Sequence, residues 1–298
     1  LQSVSFGNAL QEIGYWAFGL CPNLDSVVVP ASVTTILGNA FEGCSNLSYV
    51  VLPNTISRIE DRTFAGCSSL PSIAIPENVS YIGGSAFEEC TSLTSISIDT
   101  GSIGGFAFKN CTSLSSVILG SGVTTIGGSA FFGCSALQSV IIGGGSILAN
   151  AFCGCSSITS VTFESGVTSI GDYAFSDCEL LTSVIIPGSV TYMGQYAFVA
   201  DTVMMQGSTP PSAPSPIISS ENHVVIVPCG TGTTYRNAWS WTSWYSYSNI
   251  VKDPCETSNT LTLINNGGGY FTYLDNDNNQ QFIADTTTME FLGTMNRT

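Results

Sequence analysis

An isoleucine recurs at Ile13, Ile36, Ile59, Ile82, Ile103, Ile126, Ile147 and Ile170, and Met193 completes the series. Successive members are 23, 23, 23, 21, 23, 21, 23 and 23 residues apart. Self-similarity at a fixed period in the twenties marks a solenoid, in which each repeat is one coil that buries its apolar side against the next. This period constrains the fold more than any other property of the chain.

Each position of the repeat has a physical role. Five residues after each opener stands a phenylalanine, from Phe18 and Phe41 to Phe175 and Phe198, preceded by alanine in every copy except Thr63. That pairing predicts a stacked aromatic spine beside a small residue that lets coils approach. Three residues on comes Cys21, Cys44, Cys67, Cys90, Cys111, Cys134, Cys155 or Cys178, and then an apolar residue such as Leu24, Leu47, Leu70 or Leu93. A short alternating run follows, Ser26 to Val29 in the first full copy and Ser183 to Ile186 in the last. Read with its leucine as L-x-x-L-x-L, it has strand periodicity with every second side chain inward. A Pro or Gly ends it, and a Val or Ile near Val33, Val79 or Val190 leads into the next coil.

The pattern resembles the BspA-like branch of the leucine-rich repeats, also described from treponemal surface proteins, which reads roughly L-x-S-V-x-I-P-x-x-V-x-x-I-G-x-x-A-F-x-x-C. The resemblance covers residues 1 to about 205 of 298. It implies a β-rich, curved, parallel-stranded solenoid with short helical or 3-10 turns on its convex side, exported to a cell surface and used for binding. The periodicity requires the solenoid independently; adhesion comes from the resemblance alone.

The remainder divides in two. Residues 206–255 read as a C-terminal cap. Ser208 to Pro216 is a proline-rich strap that can be neither helix nor central strand, and a strand follows at His223 to Pro228. The segment from Cys229 through Tyr235, Trp239, Trp241, Trp244, Tyr245 and Tyr247 to Val251 is similar to the closing segment of bacterial members of the family. Residues 256–298 lie outside the resemblance. Thr260–Ile264 and Tyr270–Leu274 around Asn265–Gly269 read as a hairpin, with another strand at Gln281–Ala284, giving an appended β ribbon or the start of a further module. At the other end, Leu1 to Phe6 is the tail of an earlier repeat with no Met or signal peptide before it, so the chain reads as a fragment or processed product.

Composition narrows the function. Six Lys and Arg stand against 21 Asp and Glu, a net charge of -15, and charged residues make up only 9%. Without a basic stripe to release counterions from phosphates, nucleic acid is not an expected partner. No run reaches the roughly 18 apolar residues that a membrane helix needs. The single histidine, His223, begins a cap strand, so no Ser-His-Asp or Cys-His chemistry is expected and the chain reads as non-enzymatic.

No cofactor or metal is expected either. The repeat cysteines occur singly at whole-coil intervals without C-x-x-C pairs, as core thiols do. Cys153, beside Cys155, falls at a non-core position and reads as an exposed thiol. Cys229 and Cys255 bracket the cap and have no repeat role; in an exported protein they read as a disulfide. The Ile103-Gly-Gly and Ile126-Gly-Gly runs lack the features of a phosphate loop and read as turns. Asp275 to Asn279 lacks the later ligands of an EF-hand, since Gln280 and Thr286 stand where Gly and Glu are needed, and reads as a polar turn.

With Leu24, Val27 and Val29 inward, two columns point outward. One is Ser26, Tyr49, Ser72, Ser95, Ser116, Ser139, Ser160 and Ser183. The other is Val28, Val51, Ala74, Ser97, Ile118, Ile141, Thr162 and Ile185, mostly apolar where solvent is the expected neighbour. Val28, Tyr49, Val51, Ile118, Ile141 and Ile185 are therefore candidate ligand-binding residues, against the plainer reading that β-branched residues serve strand propensity. Trp241, alternating with Trp239 and Trp244 that seal the cap, is a further candidate. The function read from sequence is an extracellular or cell-surface adhesion module binding a protein or a cell-surface glycan. The alternatives are a structural or receptor-binding component of a virion or fibre appendage, and carbohydrate binding through the Trp/Tyr-rich cap.

Overall fold

The computed structural model describes residues 1–213, 217, 224–239 and 251–255, together with the backbone of four strands beyond them. Apart from the coil of residues 71–76, which lacks the first, each coil carries two short strands that pair in parallel with a counterpart one coil away. The first is the L-x-x-L-x-L run: Ser26, Val27 and Val28 lie opposite Tyr49, Val50 and Val51. The second, at the opener, escaped the sequence reading: Arg58–Ile59 pairs with Tyr81–Ile82, and Ser169–Ile170 with Tyr192–Met193. The alternation predicted for the first strand holds. Leu24, Val27 and Val29 are buried, and Ser26 and Val28 face outward.

Where a proline ends the first strand, at Pro30, Pro53 or Pro187, the two strands stay separate, because proline has no N–H for a ladder. Asp99, Gly120, Gly143 and Glu164 replace it in the middle coils. There the backbone runs as continuous bulged strands, Ser95–Ile103, Ser116–Ile126, Ser139–Ile147 and Ser160–Ile170. The two shortened copies turn on Gly101 and Gly145, at φ +93° and +86°, and a Cβ on Gly101 would sit 2.2 Å from the Ser80 carbonyl oxygen. Only glycine fits such a corner.

The third side of each coil holds the short turns that the resemblance implies, closed by i to i−3 bonds such as Glu42 N–H to the Asn39 carbonyl at 3.1 Å and Cys44 to Phe41 at 3.2 Å, and no continuous helix. Two residues in each coil from Ile13 to Ile170 take left-handed backbone there, for example Asn39 and Gly43, Ser129 and Gly133, or Asn150 and Gly154. A residue at positive φ breaks the i to i−4 ladder, and the freed N–H groups reach the neighbouring coil instead. Phe41 N–H donates to the Thr63 carbonyl at 2.9 Å, Gly43 to Ala65 at 2.7 Å and Phe131 to Ala151 at 2.7 Å.

Inside, Phe18 to Phe198 form one stack, with neighbouring ring centroids 5.0 to 5.4 Å apart and planes within 12° of parallel. The spacing follows from the coil rise of about 4.8 Å between paired strands. The preceding alanines are fully buried from Ala40 onward, and Thr63, in their place, satisfies its hydroxyl on the Glu60 carbonyl at 2.7 Å.

The parallel ladder continues past residue 205 through Thr202–Met205, Val224–Ile226 and Val251–Lys252. Ser212 of the strap bridges Tyr192. Helix α1 (Gly232–Ala238) closes this end with Tyr235 and Trp239 edge to face at 5.1 Å, both buried. The Tyr235 hydroxyl donates to the Gly207 carbonyl at 2.5 Å and Trp239 Nε1 to that of Pro211 at 2.9 Å. Cys229 and Cys255 form a disulfide, their Cα atoms 5.2 Å apart. Beyond it, strands Leu261–Asn265, Tyr270–Asp275, Gln280–Asp285 and Phe291–Met295 form an antiparallel meander, one strand more than the sequence reading gave.

Candidate binding face

The outward columns of the first strand lie side by side on one sheet face. Val28 and Tyr49 are each 57% exposed, Ile118 48%, Ile141 39% and Val51 37%. Ala74, Ser97 and Thr162 are exposed between them, and Ile185 is half-covered. The column stops there, because Met204, its next member, is buried, as is Ile226 after it. Register pairs Ser97 with Ile118, Ile118 with Ile141 and Ile141 with Thr162, so these side chains are direct neighbours across coils.

None of the sixteen outward residues, from Ser26 and Val28 to Ser183 and Ile185, is acidic or basic. On a chain of net charge -15 that is a neutral window. Four of the charged side chains form an ionic ladder on the turn side instead, where Arg62 bridges Glu42 and Glu88 (3.3 Å to the latter) and Lys109 reaches Glu88 at 2.9 Å. Burial pulls the Glu42 carboxyl up, but hydrogen bonds from Arg62 and Asn39 and the Arg62 charge outweigh it, leaving the group below its ordinary value. This ladder borders a shallow groove with Leu20, Gly43, Ala65, Gly66 and Glu89. Sequence reasoning missed Phe106, Phe132 and Leu148, exposed on the turn side. The available signal was their occurrence at coil positions that hold mainly polar residues or glycine elsewhere.

The cysteines bear on chemistry. Seven thiols donate to the carbonyl of the preceding coil's phenylalanine, from Cys44 to Phe18 at 3.1 Å through Cys178 to Phe152 at 3.4 Å. Cys153 is buried, not exposed: it accepts from Ser176 Oγ at 3.0 Å and lies 3.6 Å from Asp177 Oδ2, so the neighbouring coil's larger side chains cover it. Among the described residues, one group of metal-ligand type is drawn together, Cys229, Cys255 and Asp253. Its sulfurs are bonded to each other, and the buried Asp253 carboxylate accepts from the N–H groups of Gly230, Gly232 and Cys255 at 3.1, 2.8 and 2.9 Å. That set is spent on structure. His223, Trp241, Trp244, Tyr245 and Tyr247, and residues 276–279 of the polar turn, lie outside the described residues.

The profile of the BspA type Leucine rich repeat region matches residues 1–101 and 99–204, in six copies. The chain belongs to this family. No curated protein sequence matches it significantly. Among solved structures, this BspA-type chain is similar to a leucine-rich repeat protein of T. pallidum, at 26% identity over 60% of this chain and 78% of that one, with a TM-score of 0.45. A leucine-rich cell surface protein of Faecalibacterium prausnitzii is 27% identical over 66% and 70%, with a TM-score of 0.40. The pneumococcal vaccine antigen PcpA is 16% identical over 82% and 83%, with a TM-score of 0.41. The assignment of this BspA-type chain rests on the profile, whose repeats are the coils that build the sheet face.

Proposed function

We propose that the protein is a non-enzymatic surface or secreted binding module, and that it docks a macromolecular partner on the neutral, partly apolar sheet face through Val28, Tyr49, Val51, Ile118, Ile141 and Ile185. The observation that supports this is the conjunction of exposed aliphatic side chains in register with the lack of any acidic or basic residue in the two columns. Apolar patches on a surface tend to mark interaction sites, and here the charged residues stand elsewhere. Family membership is consistent with surface binding, and leucine-rich repeat proteins bind proteins or other ligands. Among the described residues no helix is long and apolar enough to cross a membrane. The partner that fits is a protein surface rich in apolar and uncharged groups. Peptides selected from a random displayed library on the immobilised chain test this: apolar sequences that bind the parent and are lost on V51S/I118S/I141S support it, and binders indifferent to those three changes contradict it.

A further inference from the structure

The sheet face is not one continuous ladder. Strands pair at 26–28 with 49–51, then from Ser95–Ile98 through Ser160–Phe163, and again from Ser183–Ile186 onward, but not between these groups. Two different residues account for the two gaps.

At the first, residues 71–76 form no strand although Ser72-Ile-Ala-Ile75 has the right alternation. Prolines stand at both ends of this segment, Pro71 and Pro76. Along the column of Pro71 every neighbour donates one coil back: Ser48 N–H to Asp25, Thr94 to Pro71 itself and Ser115 to Thr94, at 2.9 to 3.1 Å. Pro71 has no N–H, so the carbonyl of Ser48 loses that donor. Packing loosens with it. Ile73 and Val50 are each 8% exposed, and Leu52 and Ile75 are only partly buried where Ile98, Leu119 and Ile142 are fully so.

At the second gap, Phe163 occupies the inward place of Ile142 and Ile186. Its ring stands edge-on to Phe175 and Phe198 at 5.7 and 6.2 Å, and both it and Val161 remain half-buried. The oversized side chain holds strands 160–163 and 183–186 apart. Across both gaps the turn side stays zipped: Phe64 N–H donates to Ala86 at 2.8 Å, Phe175 to Ala197 at 2.8 Å, and the aromatic stack is unbroken. At the first gap the Glu42, Arg62, Glu88 and Lys109 ladder spans the same coils.

We infer that the binding face is articulated into three panels, hinged on the turn side at the coil of Pro71 and beside Phe163, so that it can change curvature to fit partners of different shape. The apolar column follows the same division, with Val28 and Val51 on one panel, Ile118 and Ile141 on the next and Ile185 on the last. The use of the joints in binding rests on the proposed binding face, whereas the joints themselves do not.

Amide hydrogen exchange on the folded chain tests the joints. Residues 73–75, 161–163 and 184–186 should exchange about tenfold or more faster than 96–98, 117–119 and 140–142, since local opening sets exchange where ladder bonds are missing. Pro71→Ser, which restores the residue type of Ser48 and Ser115, should slow 73–75, and Phe163→Ile should slow 161–163 and 184–186. Equal protection across panels and joints would overturn the inference, as would repaired variants that exchange like the parent. V51S/I118S/I141S should leave the exchange pattern intact, so a failure of the binding reading is separable from a failure of the joints.

Discussion

Cysteine in this chain is a hydrogen-bond donor first and a reactive group hardly at all. Burial pushes the Cys44 thiol up to about 11 and that of Cys178 to about 12, and raises Cys67, Cys90, Cys111 and Cys153 as well, while Cys155 is raised first by its hydrogen bond with Cys134 and then by burial. The coils therefore hold protons that an unfolded chain gives up above pH of about 8.5. Below that pH the thiols are neutral in both states and contribute no pH dependence. Above it the unfolded state binds fewer protons than the folded one, so stability falls as pH rises toward the folded values, by about 1.4 kcal/mol per thiol per pH unit. Urea titrations under nitrogen at pH 8 and pH 9.5 should show a loss of several kcal/mol. An unchanged midpoint would mean that the thiols are not held neutral. Thiol counting without reductant should give nine free groups in denaturant, since nine cysteines are unpaired and two form the bridge. In the native state Cys21, half-buried at the end of the ladder, should react first. A denatured count near one would contradict the reduced ladder.

At the scale of the strand and the turn, backbone hand decides what each position tolerates. Gly101 has positive φ with no room for a Cβ, so Gly101→Ala should destabilise by about 3 kcal/mol or more. Ser129 sits at φ 56° without needing its side chain there, and Ser129→Gly should be neutral or stabilise by about 0.5–1 kcal/mol as relieved left-handed strain outweighs added chain entropy. Thermal melts check this: Gly101→Ala should melt well below the parent and Ser129→Gly at or above it, and a loss in both would mean the turn geometry is misassigned. The first strand was legible because Ser26 to Val29 alternates over enough residues to show a period of two. The opener strand was not, because two residues such as Thr35–Ile36 have no period, and their pairing is set by the coil above. The short turns implied by the resemblance form, but they do not wind into a helix at Asn39, Arg62 and Tyr173, ordinary residues whose positive φ goes with bonds to the next coil. Long-range hydrogen bonds override local preference there. The candidate face was readable as two columns, but its division was not, since it depends on what Pro71 fails to donate and how far Phe163 reaches.

For the whole molecule, burying one coil at a time makes stability a sum of neighbour terms, so damage should spread little beyond adjacent coils. Phe131→Ala, which opens a hole in the middle of the stack, should cost about 3–5 kcal/mol, with exchange rising most in coils 108–152 and least near α1. Uniform loss of protection would mean that the array unfolds as a single unit. The end of the array at α1 resists the same logic, because Tyr235, Trp239 and the buried Asp253 tie α1 to the residues after Met205 and to strand Val251–Lys252. The neutral stripe is the property of the assembled array, invisible in any one coil and formed only when Val51, Ile118 and Ile141 are brought into line. Its role is decided most directly by the affinity of one selected apolar peptide for the parent and for V51S/I118S/I141S, both shown to be folded, at low and at high salt. The expected result is an about tenfold weaker complex for the variant, or about 1.4 kcal/mol, with the parent's affinity only weakly dependent on salt because neither column holds an acidic or basic residue. Equal affinity for parent and variant, or a parent complex that dissolves in salt, would contradict it.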